Sequence, residues 1–149
     1  MVVRLSLGQV VPAIRALVPR LAGAYPWPVK PDVEHLAKTW RHLESLGSTR
    51  TYGLYDSGVN IRGILLGLIV PDMITGELQG LEYMWFVEPG LRGKRQGVKL
   101  LRRFEEDCRE AKCVRVVCGF AEWLNPEEMH LRYAKLGYEP HSRIFSKKL

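Results

Sequence analysis

The chain opens on an alternating, β-branched stretch, Val2 to Leu7, which predicts a short first strand. After Gly8 the period lengthens: Val10, Ile14, Leu17 and Leu21 recur at helical spacing, and Gly23 ends the pattern. The proline-rich run from Tyr25 to Pro31 cannot continue a helix. Asp32 is then placed to cap a second amphipathic helix, whose stripe of Val33, Leu36, Trp40 and Leu43 stops at Gly47. From there the pattern turns to strands. Thr51 to Tyr55, the turn Asp56-Ser57-Gly58 and Asn60 to Val70 form a hairpin, and Pro71 to Gly76 leads into a third strand, Leu78 to Val87. Pro89-Gly90 stops that strand, and a helix follows from about Lys94 to Lys112, with Gly97, Leu101, Phe104, Cys108 and Ala111 on one face. Cys113 to Phe120 predicts a strand, Pro126 to Leu136 a short helix closed by Gly137, and Tyr138 to Lys148 a last extended segment.

The resulting order, β-α-α-β-β-β-α-β-α-β, predicts an α/β (α+β) fold in one domain over residues 1–149. Three strands joined by short turns are antiparallel neighbours, whereas the strand–helix–strand unit from Leu78 to Phe120 requires a parallel crossover. A mixed, mostly antiparallel central sheet with helices on both faces follows. Composition agrees: 46% hydrophobic and 26% charged residues over 149 exclude a disordered or collagen-like chain. The longest uncharged apolar run, Gly63 to Pro71, is too short to span a membrane, and no signal-peptide core is present, so a cytoplasmic location is the expectation. Three cysteines cannot close a disulfide set, and neither they nor the four histidines show zinc-ligand spacing. Buried, reduced thiols and no metal are expected.

Charge narrows the field. The net charge of +6 is unevenly spread: Arg92, Lys94, Arg95, Lys99, Arg102 and Arg103 lie together with no acidic residue between them, and a second basic excess runs from Arg132 to the end. Such clusters fit an anionic ligand, either nucleic acid or a phosphate-bearing cofactor, or else a solvated surface. The first cluster sits where a strand ends, a glycine-rich loop turns and a helix begins. Unpaired N–H groups and the positive end of a helix dipole outline a phosphate site there. The loop carries neither a P-loop nor a GxGxxG spacing, so taken alone it either binds an anion or merely needs small residues.

The loop Arg92-Gly-Lys-Arg-Gln-Gly97, after Val87-x-Pro and before Leu100-Leu101, resembles the cofactor motif of the GNAT N-acetyltransferases, Gln/Arg-x-x-Gly-x-Gly/Ala. Downstream, Tyr133-Ala-Lys-Leu-Gly-Tyr138 is similar to that family's Tyr-x-x-x-Gly-Phe, and the order of elements is the family's order as well. Two departures stand out. Arg95 occupies the position of the family's middle glycine, and Asn125 falls one residue before its usual asparagine, where Pro126 stands.

The resemblance implies transfer of an acetyl group from acetyl-CoA to an amine of a small molecule or protein. It implies that Arg92, Gly93, Lys94, Arg95, Gln96, Gly97 and Val98 hold the pyrophosphate, chiefly through backbone amides. Trp85, Phe86 and Val87 would pair with the pantetheine arm where a bulge splays their strand from the next, a strand N–H near Phe86 or Val87 would meet the thioester carbonyl, and Asn125 joins the cofactor set. Tyr133 matches the tyrosine that protonates the departing thiolate; otherwise it packs on the core. An ammonium must lose its proton before attack, and Glu82 is the candidate base, on the face of Phe86 by alternation, or else a surface carboxylate. Glu122 is a second choice. The acceptor would meet Tyr25, Trp27, Trp40 and His141, unless these aromatics pack in the core or a lid. A homodimer is a further implication of the resemblance. The competing readings are a non-catalytic CoA-binding relative and a basic nucleic-acid-binding module, although no helix-turn-helix, RRM or zinc pattern supports the latter.

Overall fold

The computed structural model describes residues 1–24, 30–92, 95–120, 125–142 and 147. The chain packs as two compact units, residues 1–119 and 120–149. In the first, the elements run β1 (Val2–Arg4), α1 (Leu7–Ala24), α2 (Val33–Ser45), β2 (Thr49–Tyr55), β3 (Ile61–Pro71), β4 (Leu78–Val87), α3 (Gln96–Glu110) and β5 (Arg115–Val117). The order is the one the pattern predicts, with β5 shorter than expected.

Local chemistry fixes the helix starts. Ser6 donates to Gln9 Oε1 from both its backbone N–H and its hydroxyl, at 2.9 Å each, a capping-box arrangement that launches α1. Pro12 and Pro19 lie inside α1, so its stability comes from the face it buries, with Val10, Ile14 and Leu17 fully enclosed. Asp32 caps α2 by accepting from the His35 N–H at 2.9 Å, and Gly47, at φ +73°, follows its end.

The five strands lie in the order β1-β2-β3-β4-β5, the first four antiparallel and β4–β5 parallel. Helices α1 and α2 cover one face, where Val10, Ile14, Leu17 and Trp40 pack with Ile64, Leu66 and Phe86. Helix α3 covers the other. A Cβ added at Gly67 would stand 2.5 Å from the Phe104 ring, and one at Gly80 would collide with Cys108 Sγ. These two glycines let α3 lie close against the middle of the sheet. Gly67→Ala is expected to cost about 2 kcal/mol, because the Phe104 ring is fully buried and has nowhere to go. A fall of roughly 4–8 °C in the unfolding temperature checks it.

In the second unit, α4 (Pro126–Lys135) starts at Asn125, with Pro126 in its first turn beside Glu127 and Glu128. Gly137, at φ +88°, follows its end. Tyr133 stacks on Phe120 at 5.9 Å between centroids and meets the edge of Tyr138 at 5.6 Å. Residues 138–142 carry no strand, and the remainder of the expected last strand lies, apart from residue 147, outside the described residues. Among the described residues no helix is long and apolar enough to cross a membrane.

Candidate active site

Strand β4 holds the centre of the site. Its pairing with β3 runs Leu66↔Met84 and then Gly67↔Glu82, so Tyr83 is an extra residue, the mark of a β-bulge. On the other edge, the parallel ladder to β5 covers only Gln79↔Arg115, Gly80↔Val116 and Leu81↔Val117. The ladder ends one residue before Glu82. From there β4 runs on to Val87 while β5 has already stopped, and this edge of β4 is where the resemblance puts a slot.

Backbone direction within β4 follows from one bond. The Glu88 N–H donates to the Arg62 carbonyl of β3 at 3.0 Å. In an antiparallel ladder successive residues point their peptide groups to opposite edges, so those of Phe86 face β3 and those of Trp85 and Val87 face the slot. Val87, not Phe86, therefore carries the N–H aimed at the slot. Its carbonyl accepts from Arg92 Nε at 3.0 Å, and the Arg92 guanidinium carbon stands 5.8 Å from the centroid of the Phe86 ring.

The bulge also corrects a face. Unbroken alternation would put Glu82 with Phe86, but Met84 and Phe86 pack against the α1–α2 core, whereas Glu82 pairs with Gly67 under α3. Glu82 thus shares the α3 side with Trp85 and Val87. Its Oε2 accepts from the Gly119 N–H at 3.3 Å, so the carboxylate spans from β4 to the chain beyond β5. Burial pushes its pKa up to about 7, and the Gly119 hydrogen bond only partly opposes that rise. A carboxyl poised near neutrality at the mouth of a slot is suited to exchange a proton.

The start of α3 forms the adjoining wall. Arg95 is its N-cap, in the left-handed region at φ 57° and ψ 9°, and its side chain makes no capping bond. That conformation explains the family's glycine at this position and shows how an arginine meets the same backbone demand at some cost. No acidic residue lies in the first turn of α3. Its first N–H groups and the helix dipole are therefore arranged for an anion. A Cβ at Gly97 would stand 3.1 Å from Trp85 Cζ2 and 3.3 Å from Val87 Cγ2. This glycine holds the helix start against the slot-facing strand. Gly93 and Lys94 lie outside the described residues. Arg95→Gly is expected to raise stability by up to about 1 kcal/mol by relieving the left-handed strain. CoA affinity measured by calorimetry should hold or improve; loss of most of it would assign the phosphates to the guanidinium rather than to the backbone.

Several expected residues take other places. Trp40 is 1% exposed and donates its Nε1–H to Thr51 Oγ1 at 2.9 Å, so it is a core residue and not part of an acceptor pocket. The Asn125 carboxamide caps α4, accepting from the Glu128 N–H at 3.3 Å. His141 is exposed, and Tyr25, Trp27 and Glu122 lie outside the described residues. Cys108 is buried, and Cys113 and Cys118 are half-buried. Among the described residues no group of three or more potential ligands could hold a metal ion.

A family model described as the acetyltransferase (GNAT) family matches residues 14–138. No curated protein matches the chain in sequence. Among solved structures, an acetyltransferase from Trypanosoma brucei is 21% identical at a TM-score of 0.73, over 100% of this chain and 99% of that one. A glucosamine-6-phosphate N-acetyltransferase from Arabidopsis thaliana is 17% identical at 0.74, over 99% and 97%. An aminoglycoside antibiotic 6'-N-acetyltransferase from Acinetobacter haemolyticus is 16% identical at 0.73, over 100% and 99%. At these identities the likeness establishes the fold.

Proposed function

We propose that this chain, which belongs to the acetyltransferase (GNAT) family, transfers an acetyl group from acetyl-CoA to a primary amine by direct attack on the thioester. The observation that carries this reading is the bulged β4, with a slot along its edge and a carboxyl of pKa about 7 at the slot's mouth.

In this reading the pyrophosphate lies at the first turn of α3, against the N–H groups of Gln96, Gly97 and Val98, and the pantetheine runs along the slot edge of Trp85 and Val87. The Val87 N–H donates to the thioester carbonyl as its oxygen gains charge. A lysine-like amine has a pKa of about 10.4 and is almost wholly protonated at neutral pH. Glu82, as carboxylate, accepts that proton directly or through water. The amine nitrogen then bonds to the carbonyl carbon, the C–S bond breaks, the nitrogen sheds its remaining excess proton to water, and the sulfur takes a proton. Tyr133 is assigned that last donation by its match to the family tyrosine.

Screening amines for acetyl-CoA-dependent release of free thiol tests the reaction. Release that tracks amine concentration is the expected result; acetyl-CoA binding without release from any amine would leave a cofactor-binding relative. With an acceptor in hand, Tyr133→Phe should lower kcat about a hundredfold, the lower end of general acid assistance, because a thiol of pKa near 8.5 leaves readily. CoA affinity should hardly change, since the hydroxyl acts at the barrier. Unchanged turnover would assign the proton to water or to another acid.

A further inference from the structure

Away from the slot, three guanidinium groups converge on one buried carboxylate. Asp107, on the sheet-facing side of α3, is 4% exposed. Arg4 of β1 lies 3.3 Å from its Oδ2, Arg50 of β2 3.9 Å from the same oxygen, and Arg103 of α3 3.4 Å from Oδ1. The Tyr52 hydroxyl already donates to Oδ2 at 2.6 Å. One phenol and one arginine would satisfy a buried carboxylate. Two further arginines bring like charges together, which is unfavourable unless an anion offsets it.

Arg4 and Arg103 have side chains 51% and 45% exposed, so the cluster opens to solvent. Glu106 takes a second contact from Arg103 at 3.1 Å. Three arginines against Asp107 and Glu106 still leave an excess of one positive charge. Lys99, exposed and four residues before Arg103 on the same helix face, adds one more.

We propose that Arg4, Arg50 and Arg103 form a binding site for a phosphate-bearing anion, with Asp107 holding the guanidinium groups in place. Arg103 spends both terminal nitrogens on Glu106 and Asp107, and Arg50 gives one of its own to the Gly47 and Thr49 carbonyls, so the half-exposed Arg4 supplies the fork for phosphate oxygens while the other two supply anchored charge. This site is separate from the acetyl-CoA slot. Arg103 is about 9 Å along α3 from Gly97. Its partners lie on β1 and β2, at least two strand spacings, or about 10 Å, across the sheet from β4. Free phosphate compounds and nucleic-acid phosphates present the same chemistry to it.

The test titrates the full chain, with CoA at saturation, against inorganic pyrophosphate and against a twelve-nucleotide single-stranded RNA. Arg4→Gln and Arg103→Gln are the variants, and Arg4→Lys keeps the charge without the fork should either lose its fold. Pyrophosphate affinity is expected to fall about tenfold in each glutamine variant and severalfold in Arg4→Lys. CoA affinity, measured on its own, is expected to stay constant. If RNA is the natural source, it binds tighter than pyrophosphate, and each glutamine substitution lowers the salt slope by about 0.7. Equal binding of both probes by native and variant chains, or binding of neither, would overturn the proposal. A parallel loss of CoA affinity would overturn it too, by making these arginines part of the acetyl-CoA site.

Discussion

Gly97→Glu is expected to remove measurable CoA binding. The new Cβ alone would press on Trp85 and Val87, the two residues whose peptide groups face the slot. The carboxylate would also bring negative charge to the first turn of α3, where none stands now and where the pyrophosphate is proposed to lie. Steric and electrostatic effects act in the same direction, and calorimetry with CoA reads their sum. Gly97→Ala separates them: crowding alone should weaken binding about tenfold while the fold persists. CoA affinity that survives in Gly97→Glu would move the phosphates away from this helix start.

The second large effect is expected at Glu82. Its carboxyl, raised to about 7, is mostly protonated below that pH and mostly a base above it. Activity carried by that base rises as pH increases through 7 and levels off beyond. Glu82→Gln keeps the shape and can still accept from Gly119, but it cannot take a proton. Turnover at pH 8 should drop about a thousandfold, within the range general base assistance supplies. The limb near pH 7 should vanish with it, while acetyl-CoA affinity stays as it was. A limb that persists in the variant would assign the proton transfer to another group.

Much of this architecture was written locally. Asp32 before an amphipathic stripe and Asp56-Ser57-Gly58 between two β-branched runs act within a few residues, so α2 and the β2–β3 hairpin could be read directly. The motif Arg92 to Gly97 was legible for the same reason, though only the left-handed backbone at Arg95 explains why a glycine belongs there. Asn125 also carried a plain local meaning: an asparagine before proline and two acidic residues is a helix start, and that is the role it takes. What escaped reading depends on distant partners. The bulge at Tyr83 shows only in the pairing with β3, and it reverses the face of Glu82. Trp40 follows a helical stripe whether it lines a pocket or a core; Thr51 on β2 decides for the core. Asp107 sits in a charged stretch of α3 like any solvated residue, and only Arg4 and Tyr52, far away in the chain, mark it as buried.

The short β4–β5 ladder bears on how the protein folds. The β2–β3–β4 meander closes through two turns of a few residues each, so its pairing costs little loop entropy and can form early. Strand β5 joins only after the chain has passed through α3, and it gains three residue pairs for doing so. The edge of β4 from Glu82 to Val87 therefore belongs to the earliest-forming part of the sheet, and it begins where the latest strand to join has ended. In the native state the same asymmetry makes the amides of Arg115 to Val117 exchange with solvent more readily than those of the meander, through local opening that leaves the meander intact. A ligand lying along the β4 edge just past that ladder would slow the exchange of β5 and leave that of the meander as it was.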